Sequence, residues 1–194
     1  ISLYINTGFT DFSFIAYSMD VNEGPLMWSS ENIRSYNVEG KVVTRLSDGL
    51  KGLMPGEVNS IVIAGMGGLL TIRILSDGKE VAESADELIL SPHSDVHLVR
   101  EYLADNGYKI INEEMVLEDG KFYFILKVVK GAMELKDDVE KFFGRYLIER
   151  KDSTMGAYLE KEEAKRLSIL DKMAASDNKE RIMELHSELE LIRK

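Results

Sequence analysis

Residues 60–68 read Ser60-Ile61-Val62-Ile63-Ala64-Gly65-Met66-Gly67-Gly68. The first five form a short, nearly all-apolar run, the pattern of a strand buried on both faces of a sheet. Three glycines in the next four positions end that strand, and Leu69–Leu75 continue as an apolar helix. The same strand-then-helix grammar extends outward. Upstream, Phe14–Asp20 reads as a strand ending in an acid, and Glu23 to about Tyr36 as a helix with Pro25 in its first turn. Lys41–Leu46 is a further strand, closed by Ser47-Asp48-Gly49. Downstream, Glu87–Leu90 leads into Ser91-Pro92-His93 and a helix near Asp95–Asn106. Short apolar strands alternating with helices predict an α/β fold with a doubly wound parallel sheet. Tyr108–Val116 and Lys121–Val129 flank an Asp119-Gly120 turn, which predicts a closing antiparallel hairpin.

Strand signals stop after about Gly131, dividing the chain into an α/β unit over 1–131 and a helical unit over 132–194. Ser153–Lys194 reads as two helices broken near Ser176-Asp177-Asn178. Ile182, Leu185, Leu189 and Ile192 form one apolar stripe, and Leu159, Leu167, Leu170 and Ala174 a similar one. An antiparallel coiled-coil hairpin and a simple packed helical tail fit these stripes equally well.

An apolar fraction of 44% is that of a globular chain, and the absence of cysteine excludes disulfides, thiolate catalysis and Cys-ligated metals. No apolar run reaches the ~18 residues of a membrane helix, and Ile1–Asp11 carries no secretory signature, so a soluble cytoplasmic protein is expected. A net charge of −10 argues against wrapping nucleic acid by bulk electrostatics, though not against a local basic face. Lys141, Arg145, Arg150 and Lys151 are the candidate basic cluster, set among Glu140, Glu149 and Asp152 that can neutralise it.

Ligands of an open α/β sheet bind beyond the carboxyl ends of its strands. Four features fall there: Asp20 with Val21, Ser47-Asp48-Gly49, Ala64-Gly65-Met66-Gly67-Gly68, and Ser91-Pro92-His93. A carboxylate at a strand end can accept both hydroxyls of a ribose diol, and Asp48 can accept from an adenine amino group. Either acid can equally be a local cap, and the glycines can merely make a tight turn. Together they suit an adenosine-containing cofactor. A nicotinamide dinucleotide needs its Gly-rich turn before the ribose acid. Here the glycines follow the acid, an order that favours S-adenosylmethionine and leaves a nicotinamide-dependent oxidoreductase as the rival enzyme.

The runs Asp20-Val21-Asn22-Glu23-Gly24-Pro25, Arg45-Leu46-Ser47-Asp48-Gly49-Leu50 and Ile61–Gly68 resemble the bacterial tRNA (adenine-22-N1)-methyltransferases. So do Leu88-Ile89-Leu90-Ser91-Pro92, Leu98-Val99-Arg100-Glu101-Tyr102-Leu103 and Gly120-Lys121-Phe122-Tyr123. The resemblance runs from about Ile15 to the C-terminus. It implies a Rossmann-like class I methyltransferase sheet with a C-terminal helical or coiled-coil domain, S-adenosylmethionine as cofactor and tRNA as substrate. By position, Asp20 would hold the ribose and Asp48 with its neighbours the adenine. Gly65, Met66, Gly67 and Gly68 would border the methyl donor and target base, with Pro92 and His93 beside them.

Two departures stand out. The family carries an Asp-(Ile/Val)-Gly-(Thr/Ser)-Asp-His run on its first strand, where this chain has only Ile5-Asn6-Thr7-Gly8-Phe9-Thr10-Asp11. Gly8 is the candidate cofactor contact there. The interval to Asp20 is too short for a complete loop and helix, so either the site is lost, leaving a non-catalytic binder, or the sequence omits residues. Omission is the expectation. The second departure is Ser91-Pro92-His93 in place of the Gln-Pro-Asn common among relatives. His93 and His97 share a helix face with Asp95 nearby, but no third ligand is apparent, so no metal is expected. His186 reads as a surface residue and Trp28 as a packing one.

Overall fold

The computed structural model describes residues 2–7, 14–173 and 178–194; the side chains of residues 2–7 and of Phe14 are not described. Seven strands form one sheet in the order β3-β2-β1-β4-β5-β7-β6. They are β1 (Ser2–Thr7), β2 (Phe14–Asp20), β3 (Val42–Leu46), β4 (Ser60–Ala64), β5 (Glu87–Ser91), β6 (Tyr108–Glu118) and β7 (Lys121–Lys130). On the sheet lie α1 (Glu23–Ser35), α2 (Gly68–Asp77), α3 (Lys79–Ser84) and α4 (Val96–Asp105). The expected α/β architecture with a closing antiparallel hairpin is present. Ile61, Ile63, Leu88 and Leu90 are fully buried at its centre, as the uninterrupted apolar runs require.

One strand departs from the parallel pattern. β1 occupies the middle of the sheet yet runs antiparallel to both neighbours, pairing Ser2 with Met19 and Ile63, and Thr7 with Phe14. Its end at Thr7 therefore lies at the edge opposite Asp20. A Phe14-to-Thr7 pairing leaves only a short return, and a short connection joins neighbouring strands antiparallel, because a parallel one needs a crossover of a dozen or more residues.

Trp28 is a correction to the sequence reading: it is 70% exposed, and no residue of α1 is fully buried. The helix sits on the sheet through Leu26, Ser29, Ser30 and Ile33, positions at helical spacing that exclude Trp28. Ser29 Oγ donates to Ser18 Oγ at 2.8 Å, and Ser30 Oγ to Thr44 Oγ1 at 3.4 Å, so hydroxyls carry much of that seat.

Beyond β7 the chain forms α5 (Asp138–Phe143), α6 (Arg145–Glu149), α7 (Ser153–Lys172) and α8 (Lys179–Ile192). Arg166 Nε meets Glu188 at 2.7 Å and Arg193 Nε meets Glu163 at 2.6 Å, which makes α7 and α8 an antiparallel pair. Leu185 and Leu189 are buried as expected, with Ile182 and Ile192 half-buried. Leu167 is 45% exposed, because the contact stripe of α7 runs through Leu159, Glu163, Arg166 and Leu170, one position away. Ala174 lies outside the described residues, as do Ser176 and Asp177 of the expected break; Asn178 caps α8, accepting from Arg181 N at 3.1 Å.

The helical region is fastened to the sheet by a second core of Met115, Phe124, Phe143, Leu147 and Met155, with Tyr158, Leu191 and Ile192 against it. Beside it lies a buried ion pair. Arg100 and Glu113 are each 1% exposed. Arg100 Nε donates to Glu113 Oε1 at 2.9 Å, and its Nη1 donates to the carbonyls of Lys141 and Phe142 at 2.9 and 3.0 Å. Nη2 approaches the same carboxylate oxygen at 2.9 Å without an aligned hydrogen bond. Desolvation lowers the Arg100 pKa and the Glu113 charge opposes that shift. Gly144, at φ +86°, leaves room for this carboxylate: a Cβ there would sit 2.4 Å from Glu113 Oε1.

Removing one member of a buried pair strands the other charge, whereas removing both need not. Arg100→Met should therefore cost about 3–5 kcal/mol of stability in chemical denaturation. Arg100→Met/Glu113→Leu should recover most of that loss; a double variant as unstable as the single one would contradict this reading.

Candidate functional site

The sheet register brings the candidate residues to one edge. Asp20 pairs with Leu46, so Ser47 follows directly beside it, and Ser47 N donates to Asp20 O at 2.9 Å. Ala64 pairs with Ser91, which sets Gly65 against the start of Ser91-Pro92-His93. Gly65 N donates to Ser91 O at 3.3 Å and His93 N to Met66 O at 2.8 Å.

Asp20 is half-buried, and its Oδ1 accepts from Asn22 N at 2.9 Å. Among the described residues, the cap expected as its bland alternative thus holds one oxygen only, and this carboxylate makes no ion pair. Val21, next to it, is 59% exposed. Ser47 Oγ accepts from Gly52 N at 2.8 Å and donates to Gly49 O at 3.0 Å, tying down a single 3-10 turn over Gly49–Gly52. Gly49 has φ +61°, a conformation that favours glycine.

Asp48 is more engaged than expected. Lys51 Nζ donates to its Oδ2 at 2.9 Å and Arg73 Nη2 to its Oδ1 at 3.2 Å. The Lys51 hydrogen bond and charge, with a smaller contribution from Arg73, hold its carboxyl below the ordinary aspartate range. Lys51 also reaches Asp77 at 3.2 Å. An adenine amino group would join a carboxylate already paired with two exposed cations.

The glycine run divides its labour. Gly65 is exposed at φ +77°, and nothing lies within 4 Å of where its Cβ would be, so the backbone is open to a ligand. Met66 turns inward against the main core. Gly67 caps α2, accepting Thr71 N at 2.9 Å. Gly68 is required by close packing: a Cβ would meet Ser94 O at 2.6 Å and Asp95 O at 2.7 Å.

Pro92 is buried and His93 exposed, with its ring edge-on to Tyr123 at 5.4 Å between centroids. His97 stacks on Phe142 at 4.6 Å instead of joining His93. Among the described residues no group of His, Asp or Glu could hold a metal ion. Gly8 lies outside the described residues; the strand before it delivers Thr7 to the edge away from Asp20. The arrangement brings the Asp20 carboxylate and the open Gly65 backbone to one edge of the sheet.

The basic cluster is largely neutralised. Lys141 Nζ meets Glu101 at 2.9 Å, Arg145 meets Glu149 at 2.7 Å, and Arg150 binds Asn112 Oδ1 at 2.6 Å, the Glu113 carbonyl and Glu114. Lys151 is exposed, with no ion pair among the described residues. A feature not singled out in the sequence is a cleft of about 920 Å³ between His93, the β6–β7 turn and α7. Its signal was the hairpin itself. β7 runs antiparallel to β5, pairing Leu126 with Leu90, so its entrance at Lys121–Tyr123 projects past the carboxyl edge.

A sequence model of a family described as tRNA (adenine(22)-N(1))-methyltransferase matches residues 11–194. The Bacillus subtilis (strain 168) protein of that name is 28% identical over 187 residues, covering 92% of this chain and 79% of the relative. The crystal structure of the B. subtilis m1A22 tRNA methyltransferase superposes with a TM-score of 0.78 at 26% identity, over 91% of this chain and 80% of that one. A Streptococcus pneumoniae protein solved in complex with S-adenosyl-L-methionine superposes at 0.82 with 30% identity, over 91% and 78%.

The Asp48 carboxyl, depressed in the folded chain, contributes stability that is full above its unfolded pKa of about 4 and is lost as pH falls through the lower folded value. Asp48→Asn should therefore lower Tm slightly at pH 7, with the difference vanishing once the pH falls below the depressed folded value. Thermal melts across that range check it; a difference that persists in acid would contradict it.

Proposed function

The chain belongs to the tRNA (adenine(22)-N(1))-methyltransferase family, and on that premise we propose that it methylates N1 of adenine 22 of bacterial tRNA using S-adenosylmethionine. The observation that carries the proposal is the alignment of Asp20, Ser47–Gly49 and Ala64–Gly68 along one sheet edge beside His93. Asp20 accepts the ribose hydroxyls, and Val21 and Asp48 border the adenosine. Gly65 supplies a backbone that a cofactor can approach without a Cβ atom in the way, while Ala64, Gly67 and Gly68 complete the turn that presents it. The rival nicotinamide reading has no counterpart in the matched family.

When bound, S-adenosylmethionine supplies a methyl group activated by a sulfonium. Adenine N1 presents its lone pair in the ring plane, so no proton need be removed before attack and positioning carries most of the catalysis. The base must leave its stack to reach the edge. Met66 O, already bonded to His93 N, and the neighbouring Pro92 fix the wall against which it is oriented. No general base is assigned. The product base is cationic, so carbonyls at this edge favour it electrostatically.

Residues 1–131 form the cofactor-binding unit and 132–194 the helical unit that grips tRNA. Lys141, Arg145, Arg150 and Lys151 border the RNA at the junction, the first three exchanging acidic partners for phosphate. A chain of net charge −10 makes such binding modest and salt-sensitive. The protein acts in the cytoplasm, where its substrate is.

Titration calorimetry with S-adenosylhomocysteine tests the cofactor site. Binding to the parent chain should weaken at least about tenfold in Asp20→Ala, the loss of a charged hydrogen-bond acceptor. Equal binding by both proteins would remove Asp20 from the site. No binding by the parent would favour a member of the fold that holds tRNA without catalysis.

A further inference from the structure

Four cations line the cleft between His93 and α7: Lys121, Lys161, Lys165 and Arg166. Only two acids, Asp95 and Glu162, line it with them. That balance is the reverse of the chain's overall charge. Arg166 is committed to structure, bonded to Glu162 and Glu188 at 2.5 and 2.7 Å. The three lysines are not. Lys121 is exposed with no ion pair among the described residues. Among the described residues Lys161 Nζ donates only to the Gly120 carbonyl at 2.8 Å, beside the Phe122 ring. Lys165 lies 3.9 Å from Glu162 with its side chain 64% exposed.

The floor beneath these lysines is aromatic. Tyr158 stands edge-on to Phe122, at 5.4 Å between centroids, and Tyr123 packs against His93 at the same spacing. His93 is two residues beyond Ser91, whose carbonyl holds the open Gly65. The cleft therefore opens directly onto the cofactor edge. A neighbouring cavity of about 690 Å³ shares His93, Asp95 and Arg166 but adds Asp138, Glu188 and Glu190 against Lys194 alone, a net acidic lining that disfavours a polyanion.

We propose that this cleft receives the single-stranded nucleotides flanking the target adenine, with Lys121, Lys161 and Lys165 on their phosphates and Tyr123, beside His93, as a stacking face for a base. The assignment rests on the tRNA reading above and adds a second surface to the junction named there. It places the principal RNA contacts on the β6–β7 turn and α7 rather than on the paired cations of residues 141–151. The chemistry is that of a single-strand groove: a cationic rim that follows the backbone over an aromatic floor that tolerates any base. Because α7 begins on the second core and β7 belongs to the sheet, the two walls are held by separate elements, and the RNA bridges them.

The test is fluorescence titration of the full chain with an in vitro transcribed bacterial tRNA carrying adenine at position 22, at several salt concentrations. Lys121→Gln/Lys161→Gln/Lys165→Gln should bind at least about tenfold more weakly, with the slope of log K against log salt reduced by about 2. A charge-matched variant at the far end of the sheet, Lys79→Gln/Lys109→Gln/Lys130→Gln, should change neither by as much. Tyr123→Leu should weaken binding about tenfold while leaving the salt slope unchanged, because stacking releases no counterions. Far-UV dichroism and melting temperature verify that each variant folds. Parent binding with unaffected cleft variants overturns this inference and leaves the family function standing. Failure of the parent chain to bind tRNA overturns both.

Discussion

The buried contact between Arg100 and Glu113 is the constraint on which the remainder of the molecule hangs. Arg100 lies on the helix that follows the His93 loop, Glu113 on the terminal hairpin, and the carbonyls of Lys141 and Phe142 on the first helix beyond it. One guanidinium thus joins three elements, two of them consecutive and the third about forty residues further on. Such a pair pays a desolvation cost near its Coulombic gain, so its contribution is to geometry more than to net stability. Glu113 also accepts Tyr146 N at 3.2 Å, and Gly144 supplies the space in which the carboxylate sits. With this joint in place, Tyr158 meets Phe122 and Phe124, and α7 is set across from the hairpin turn.

Two edges of chemistry meet as a result. The parallel strands β2, β3, β4 and β5 end together, which assembles Asp20, Asp48-Gly49 and the run Gly65-Met66-Gly67-Gly68 from three separate stretches of the sequence. The antiparallel β7 starts where those strands end and brings Tyr123 to His93. A ligand at the glycine run and a base at the aromatic cleft would therefore share one loop, Ser91-Pro92-His93. In-line transfer needs such adjacency, and the sheet topology supplies it before any side chain is considered.

Much of this was legible in the residues. Residues 61–64 and 88–90 are apolar throughout because both faces are covered, and Asp119-Gly120 closes a hairpin because its turn demands positive φ, found at +48° and +73°. The direction of β1 was not legible, since a period of two reads alike in either direction; the pairing of Thr7 with Phe14 decides it. The silencing of the basic cluster was legible only in part, in the pairing of Arg145 with Glu149 four residues on. Lys141 finds Glu101 and Arg150 finds Asn112 across about forty residues of chain, contacts that no local pattern encodes. Trp28 and Leu167 escaped burial because each sits one position off the stripe that packs. The single-strand cleft went unseen for the same reason as the joint: its two walls come from opposite ends of the terminal half.

The central claim is that this edge transfers a methyl group to one ring nitrogen of one tRNA base. Incubating the full chain with S-adenosylmethionine and tRNA, then mapping the product by reverse transcription, tests it most directly, because a methyl on adenine N1 blocks Watson–Crick pairing. The account predicts a stop at adenine 22 that disappears when S-adenosylmethionine is omitted. Methylation elsewhere, or an unmodified tRNA alongside demonstrated cofactor and RNA binding, would contradict it.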